Sequence, residues 1–189
     1  MRLFVARHGE TDWNAQQRLC GRTELPLNAT GVLQAEQLGK TLLTQGAEIE
    51  RLIASPMIRA QQTAHIIAQI LGVPVETDDR LIEQNYGVFE GGDIHEPAFQ
   101  DNRRQFAVRY PGGESMMQVA IRVYAFLEEL KTRNELQNVL LVSHGGTCRV
   151  LNTYFEDVTN EAFANWRMQN AQCLRYMETN LWSRFIPAR

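Results

Sequence analysis

Short apolar runs alternate with amphipathic stretches of helical length along this 189-residue chain. We interpret the apolar runs as buried strands, and they cover residues 2–6, 52–54, 74–77, 139–142 and 172–178. Apolar side chains recur at helical spacing over residues 31–44, 56–71, 115–130, 147–155 and 160–167. Strands that alternate with helices predict an α/β fold, a three-layer α/β/α sandwich with a mostly parallel central sheet.

Two of these helices have recognisable start signals. Ser55 followed by Pro56 suits an N-cap and the first helical position. Ser115 and Gln118 have the spacing of a capping box, in which each side chain bonds to the backbone N–H of the other residue. We therefore expect one helix to begin directly after the second strand and another to begin after residue 115.

The segment 91–113 shows no clear periodicity and is rich in Gly, Arg and Asn. We expect it to form a loop or a lid. The sequence contains no long repeat, low-complexity tract or linker, and its length suits one compact domain with a sizeable core. A single domain over residues 1–189, with a lid-like segment at about 91–113, is the prediction.

The composition gives no reason to expect nucleic acid or a membrane as partner. The formal net charge is −3, so any positive field that holds an anionic ligand must be local. Cys20, Cys148 and Cys173 lack CxxC spacing, which indicates neither a disulfide framework nor a zinc site. No apolar run approaches membrane-spanning length, and the start of the chain lacks a signal-peptide core. We expect a soluble cytoplasmic protein.

Two of the strands end in the same unusual way, with a hydrophobic run followed by His-Gly. His8 follows the first strand and His144 follows the fourth. Ligands of open α/β sheets bind beyond the carboxyl ends of the strands. If these two strands are neighbours, both imidazoles enter one crevice, and the glycines beside them allow the backbone to turn sharply.

Arginine accompanies these strand ends. Arg7 adjoins His8, and Arg59 lies in the first turn of the helix that follows the second strand. Guanidinium groups match phosphate oxygens bidentately, and helix N-termini favour anions. A lone histidine or arginine is more often structural or solvated, but their joint appearance at three strand ends indicates a pocket for a dianion. The set offers no plausible metal cage, so no metal or other cofactor is expected.

Four motifs resemble those of the histidine phosphatase superfamily, which includes cofactor-dependent phosphoglycerate mutases. They occur in the family order and cover nearly the whole chain. The four are residues 7–11 (RHGET) with Asn14, residues 55–64 (SPMIRAQQTA), residues 81–91 (LIEQNYGVFEG) and residues 142–146 (VSHGG). The resemblance implies a phosphoglycerate mutase-like sheet with helices on both faces.

The resemblance also implies a role for each matching residue. His8 would be the nucleophile that accepts the phosphoryl group, with its other ring nitrogen held protonated by a backbone carbonyl. Glu83 would be the general acid that protonates the leaving alkoxide and then the base that activates water. The groups that would surround the phosphoryl oxygens are Arg7, Asn14, Arg59 and His144. Cys20 and Gly21 match a loop whose backbone touches the far end of the substrate.

The departures from the mutase pattern favour a phosphatase. Gln84 stands where mutases of this family carry an arginine that grips the substrate carboxylate. Mutases also have a longer insertion where this chain has residues 91–113. A short lid and a less basic rim favour water as the acceptor. The prediction is a metal-independent phosphatase acting on a small phosphorylated metabolite.

Two alternatives stay open. Arg103 and Arg104 resemble an arginine pair that mutases use on substrate, so a phosphoglycerate mutase-type phosphotransferase is the second hypothesis, and the pair could bind a second anionic group. A regulatory module that binds phosphorylated ligands without turnover is the third hypothesis. The presence of the nucleophile and the acid argues against that module.

Overall fold

The computed structural model describes residues 2–133 and 137–177, and a five-stranded sheet forms its centre. The strand order is β3-β2-β4-β1-β5. All pairings are parallel except that of β5, which runs antiparallel to β1 at the sheet edge. The strands are β1 (Arg2–Arg7), β2 (Arg51–Ala54), β3 (Val75–Thr77), β4 (Val139–Ser143) and β5 (Cys173–Met177).

Seven α-helices are found in the described residues. They are α1 (Asp12–Ala15), α2 (Ala29–Thr44), α3 (Ile58–Leu71), α4 (Pro97–Arg103), α5 (Met116–Thr132), α6 (Gly145–Phe155) and α7 (Asn160–Asn165). Short 3-10 turns cover Asp79–Leu81 and Gly87–Phe89. Within these described ranges, no helix combines the length and the apolar character that crossing a bilayer requires.

Helices cover both faces of the sheet because successive strand residues point to opposite sides. Leu3 and Val5 of β1 join the core beneath α5 and α6, whereas Phe4 and Ala6 join the core beneath α2 and α3. The two cores are separated only by the sheet. The predicted three-layer α/β/α sandwich with a mostly parallel sheet is therefore confirmed.

The two start signals have different outcomes. The capping box at Ser115 and Gln118 is formed as predicted, and α5 follows it. The prediction of an N-cap at Ser55 was wrong, because α3 begins at Ile58 with Met57 in the N-cap position. The hydroxyl of Ser55 lies 2.7 Å from Nε2 of His144, a long-range partner that local spacing could not reveal, and accepts only a long bond from the N–H of Met57 at 3.4 Å.

The predicted loop at residues 91–113 contains the short helix α4, which has Pro97 in its first turn. Proline suits this position because its missing N–H would have no helical partner. Phe99 of α4 stacks on Tyr110 at 5.5 Å between ring centroids and meets Tyr86 edge-on at 5.7 Å. This separate aromatic cluster packs the segment against the 3-10 turn that follows Tyr86. The expectation of an irregular segment was therefore wrong for α4, and its role as a lid stays a prediction.

Candidate active site

The register of β1 against β4 brings the two histidines together. Arg7 lies opposite Ser143 in the parallel ladder, and the backbone N–H of His8 donates to the carbonyl of Ser143 at 2.9 Å. His8 and His144 are therefore the first residues beyond two adjacent strand ends. Their rings meet edge to face with centroids 5.1 Å apart.

A cavity of about 390 Å³ opens at this edge of the sheet. Six of the residues predicted for the site line it: Arg7, His8, Asn14, Cys20, Glu83 and Arg103. His144 and Arg59 are fully buried beside His8. The ring of His144 meets that of His8 edge to face, and Nε of Arg59 donates to Nε2 of His8. The volume suits a small metabolite rather than a polymer.

The hydrogen bonds of His8 define its tautomer. Nδ1 lies 2.7 Å from the carbonyl oxygen of Gly9, an acceptor only, so Nδ1 carries the proton. Nε2 then presents a lone pair, which accepts from Nε of Arg59 at 3.2 Å. Burial, together with the charges of Arg59 and Arg7, lowers the pKa of His8 well below 6.5. The ring is therefore neutral at pH 7 and has a nucleophilic nitrogen facing a guanidinium.

His144 is also held neutral. Burial first, and then the charge of Arg59, lowers its pKa well below 6.5. Its Nε2 lies 2.7 Å from the hydroxyl oxygen of Ser55, and its buried Nδ1 has no hydrogen-bond partner within the described residues. A neutral ring with one nitrogen unused can still donate or accept one hydrogen bond.

Arg59 is fixed in place by backbone carbonyls. Its Nη1 donates to Thr23 at 3.0 Å, and its Nη2 donates to Gly21 at 2.7 Å and more weakly to Cys20 at 3.4 Å. The loop from Cys20 to Thr23 thus wraps the far side of the guanidinium while Nε points at His8. Gly21 does not line the cavity, although its carbonyl orients Arg59.

Glu90 in turn holds this loop. Its Oε1 accepts from the backbone N–H of Gly21 at 2.8 Å and from that of Thr23 at 3.1 Å. A Cβ on residue 21 would lie 2.8 Å from the backbone carbonyl oxygen of Gln84, so glycine is favoured there. The chain of contacts runs from Glu90 through the loop to Arg59 and then to His8.

Arg7 and Asn14 are attached to the loop that precedes β5. Arg7 donates from Nη1 to the carbonyl of Met168 at 2.7 Å, while its buried Nε has no hydrogen-bond partner in the described chain. Asn170 donates to the carbonyl of His8 and to Oδ1 of Asn14, both at 3.1 Å. Because Oδ1 of Asn14 is occupied, its NH₂ group is the side-chain donor that is left for a ligand.

Glu83 is buried against the first turn of α6. Its Oε2 accepts from the N–H of Gly146 at 2.9 Å. Its Oε1 accepts from Gln84 N–H at 2.8 Å and from Thr147, through N–H at 3.0 Å and the hydroxyl at 3.2 Å. These donors fix the carboxyl group at the cavity wall. Oε2 accepts fewer hydrogen bonds than Oε1, so it is the oxygen that can more easily carry a proton.

The two arginines of the predicted pair, Arg103 and Arg104, lie in different surroundings. Arg103 lines the cavity, whereas the side chain of Arg104 is 67% exposed, pairs with Asp101 at 3.5 Å and is not among the residues that line the cavity. Cys20 lines the cavity, and burial raises the pKa of its thiol to about 11.

Several cavity residues were missed. They include Gln17, Arg18, Arg149, Arg167 and Asn170. Arg18, Arg149 and Arg167 add positive charge to the walls beyond that of the predicted residues, and the expectation of a rim less basic than that of mutases stays a prediction. Arg149 lies one turn beyond Gly145 on α6, a spacing that could have indicated it. Arg167 follows α7 in a loop and has no comparable signal.

The sequence matches the family model described as "Histidine phosphatase superfamily (branch 1)" across residues 3–180. The chain belongs to the histidine phosphatase superfamily. A protein of Salmonella paratyphi B described as "Probable phosphoglycerate mutase GpmB" is 38% identical over 152 residues, which is 77% of this chain and 70% of that relative. The expected family membership is therefore confirmed.

Solved structures of phosphatases from this superfamily share the fold. A mycobacterial glucosyl-3-phosphoglycerate phosphatase in complex with VO3 has a TM-score of 0.81 and 28% identity, covering 92% of this chain and 90% of that one. A putative alpha-ribazole-5'-P phosphatase from Escherichia coli K-12 has a TM-score of 0.79 and 27% identity, covering 93% and 89%. This chain is similar to phosphoric monoester hydrolases of the superfamily over most of its length.

Within residues 2–133 and 137–177, no group of three or more His, Cys, Asp or Glu side chains could hold a metal ion. The expectation that the chemistry needs no metal stays a prediction.

The two neutral histidines make folding stability depend on pH. Below pH 6.5 the unfolded chain binds a proton at each histidine, whereas the folded chain, with lowered pKa values, does not. The free energy of unfolding should therefore fall as pH falls through 6.5, by about 1.4 kcal/mol for each histidine between roughly pH 7.5 and 5.5. Urea denaturation at several pH values measures this. A flat profile across this range would mean that both rings accept a proton in the folded state.

Glu90 should act on anion binding through Arg59. Glu90→Ala frees the two loop N–H groups, so we expect the affinity for inorganic phosphate, measured by calorimetry, to fall by about 10-fold. Glu90→Gln keeps one acceptor oxygen and should lose less. Glu36→Ala makes the same change of charge on the surface of α2 and should leave the affinity unchanged. Equal affinities for all three variants would show that the loop holds Arg59 without Glu90.

Proposed function

We propose that this superfamily member is a metal-independent phosphatase that hydrolyses phosphate monoesters of small metabolites through a phosphohistidine on His8. The observation that carries the proposal is the state of His8, a buried neutral ring with a protonated Nδ1 and an Nε2 lone pair beside Arg59. We further propose that the chain works as a single domain in the cytoplasm, which suits its three free thiols.

In the first step, Nε2 of His8 attacks phosphorus as the bond from phosphorus to the ester oxygen breaks. The leaving alkoxide takes the proton from Glu83, because an alkoxide is a poor leaving group at neutral pH. Arg7, Arg59, Asn14 and His144 stabilise the charge on the phosphoryl oxygens during transfer. The bond from Arg59 to Nε2 is exchanged for a bond to a phosphoryl oxygen when substrate binds.

In the second step, water replaces His8 on phosphorus. The Glu83 carboxylate takes a proton from the water as its oxygen attacks, and the bond between Nε2 and phosphorus breaks. Inorganic phosphate leaves, and His8 and Glu83 return to their starting protonation states. Covalent transfer thus divides one difficult displacement into two easier ones.

A mutase-type phosphotransferase is the second candidate, and the relative described as a probable phosphoglycerate mutase supports it. The position of Gln84 favours the phosphatase. Its side chain is fully buried and donates to the carbonyl of Glu114 at 3.0 Å, so it is not available to a substrate carboxylate. Release of inorganic phosphate, as opposed to isomerisation of a phosphoglycerate, distinguishes the two activities.

His8→Ala should abolish hydrolysis of p-nitrophenyl phosphate in excess chelator, because it removes the nitrogen that attacks phosphorus in the proposed scheme. His65→Ala removes an exposed histidine of α3 and should keep full activity. Rapid quenching of the wild type should trap phosphate on the protein that is labile to acid and stable to alkali. Turnover by the His8 variant would refute the covalent scheme. Loss of wild-type activity in chelator would refute metal independence.

Glu83→Gln should slow alkyl phosphates more than p-nitrophenyl phosphate, since nitrophenolate leaves without a proton. For an alkyl ester we expect kcat to fall by about 10²- to 10⁴-fold. With the aryl ester, phosphorylation should stay fast while water attack becomes slow, so stopped-flow should record a burst of one nitrophenolate per protein. Equal slowing of both esters without a burst would count against the acid-base role.

A further inference from the structure

Ser55 meets the active site at the end of β2, where its backbone is held from two sides. Its N–H donates to the carbonyl of Val142 at 3.0 Å, and its carbonyl accepts from Nε2 of Gln61 at 2.7 Å. The first bond extends the parallel pairing of β2 with β4, and the second ties the residue to α3. The hydroxyl of Ser55 therefore has a defined position beside His144.

This hydroxyl has one proton and one place to donate it. Among the described residues, Nε2 of His144 at 2.7 Å is the only acceptor within hydrogen-bond distance of Oγ, which otherwise accepts the long bond from Met57 N–H at 3.4 Å. Ser55 and His144 are fully buried, so bulk solvent offers no other acceptor. If the ring donated instead, the hydroxyl proton would be buried without a partner, which is costly. The hydroxyl of Ser55 therefore donates, and Nε2 of His144 accepts.

The direction of this bond determines the tautomer of His144. Burial, and then the charge of Arg59, lowers the pKa of His144 well below 6.5, so its ring carries one proton on one nitrogen. Because Nε2 accepts from Ser55, the proton is on Nδ1. That buried nitrogen has no hydrogen-bond partner in the described chain. His144 thus keeps an unpaired N–H beside His8, with the ring centroids 5.1 Å apart.

The two histidines then share a tautomer but offer opposite groups. The carbonyl of Gly9 occupies the Nδ1 proton of His8 and leaves the Nε2 lone pair free. The hydroxyl of Ser55 occupies the Nε2 lone pair of His144 and leaves the Nδ1 proton free. A lone pair at that nitrogen would repel phosphoryl oxygens, whereas a donor that is oriented in advance stabilises their charge.

We propose that Ser55 is a positioning residue that keeps the proton of His144 on Nδ1, so that this N–H donates to an oxygen of the phosphoryl group at His8. Ser55 acts only through the ring, since it is not among the described residues that line the cavity. The contact with the phosphoryl group rests on the proposed function. The tautomer rests on contacts within the protein alone.

Nitrogen-15 NMR of protein with labelled histidine tests the tautomer, because protonated and unprotonated ring nitrogens have different shifts. His144→Gln identifies the signals of His144 by their loss. Near neutral pH we expect a proton on Nδ1 in the wild type and a mixture of both tautomers in Ser55→Ala. A wild-type proton on Nε2, or an unchanged Nδ1 proton in Ser55→Ala, would overturn the proposal. If Ser55→Ala does not fold, Ser55→Cys, a weaker donor of similar size, replaces it.

Ser143→Ala is the matched control for the loss of a hydroxyl. Ser143 is also fully buried and directly precedes His144, but its hydroxyl donates to the carbonyl of Leu81 at 2.7 Å. We expect the wild-type tautomer in this variant. The same mixture in both variants would mean that packing around the ring, and not the hydroxyl of Ser55, sets the tautomer, and would overturn the proposal.

Kinetics test whether the Nδ1 proton is used. In Ser55→Ala we expect kcat/KM for p-nitrophenyl phosphate to fall by about 10- to 100-fold, since part of the protein presents a lone pair to the substrate. A changed tautomer with unchanged kcat/KM would show that the phosphoryl group does not use this N–H, and would overturn that part of the proposal.

Failure of the proposed function gives a different result. If the wild type does not hydrolyse the ester, calorimetry with inorganic phosphate decides the inference separately. Binding that is about 10-fold weaker in Ser55→Ala than in the wild type would support it. Equal affinities in the two proteins would overturn it.

Discussion

The parallel pairing of β1 with β4 is the interaction on which the site depends. Its register sets Arg7 against Ser143, so that His8 and His144 leave the sheet at the same level and their rings meet. A slip of one residue would exchange the two faces of a strand and send its core side chains to the wrong layer. The burial of Leu3 and Val5 on one side, and of Phe4 and Ala6 on the other, therefore also fixes the position of the imidazoles.

The site concentrates positive charge within a protein whose formal net charge is −3. Burial and these neighbouring cations keep both histidines neutral, which is the state that a nucleophilic imidazole needs. Backbone carbonyls rather than carboxylates hold Arg59 and Arg103. Carbonyl groups orient a guanidinium without cancelling its charge, so the field stays available to an anion. Folding stability is the cost, since each buried cation has lost its water.

The four sequence motifs supply the strand-end residues of the site, and other elements supply the remaining walls of the cavity. Here one wall comes from the segment with α4, held by the stacking of Phe99 on Tyr110, and another from the residues after α7. The side chain of Gln84 is directed away from the cavity toward Glu114, while Arg149 is directed into it. Much of the cavity wall thus comes from elements that lie outside the four sequence motifs.

The sequence by itself determined the order of the five strands and of every helix except α1 and α4 in the described residues, the sandwich and the histidines at strand ends, because these follow from local periodicity and from where each apolar run stops. It also identified six cavity residues, through the four motifs, the loop at Cys20 and the arginine pair. Only the tertiary structure decided that Ser55 bonds to His144, that Glu90 supports Arg59 and that Arg104 stays outside. The tertiary structure likewise decided that Arg149 and Arg167 lie in the same cavity as Arg103, although the spacing of Arg149 from Gly145 on α6 could have placed that one residue near the site. Contacts of this kind join residues far apart in the chain, and their geometry depends on how whole elements pack, which no local pattern encodes.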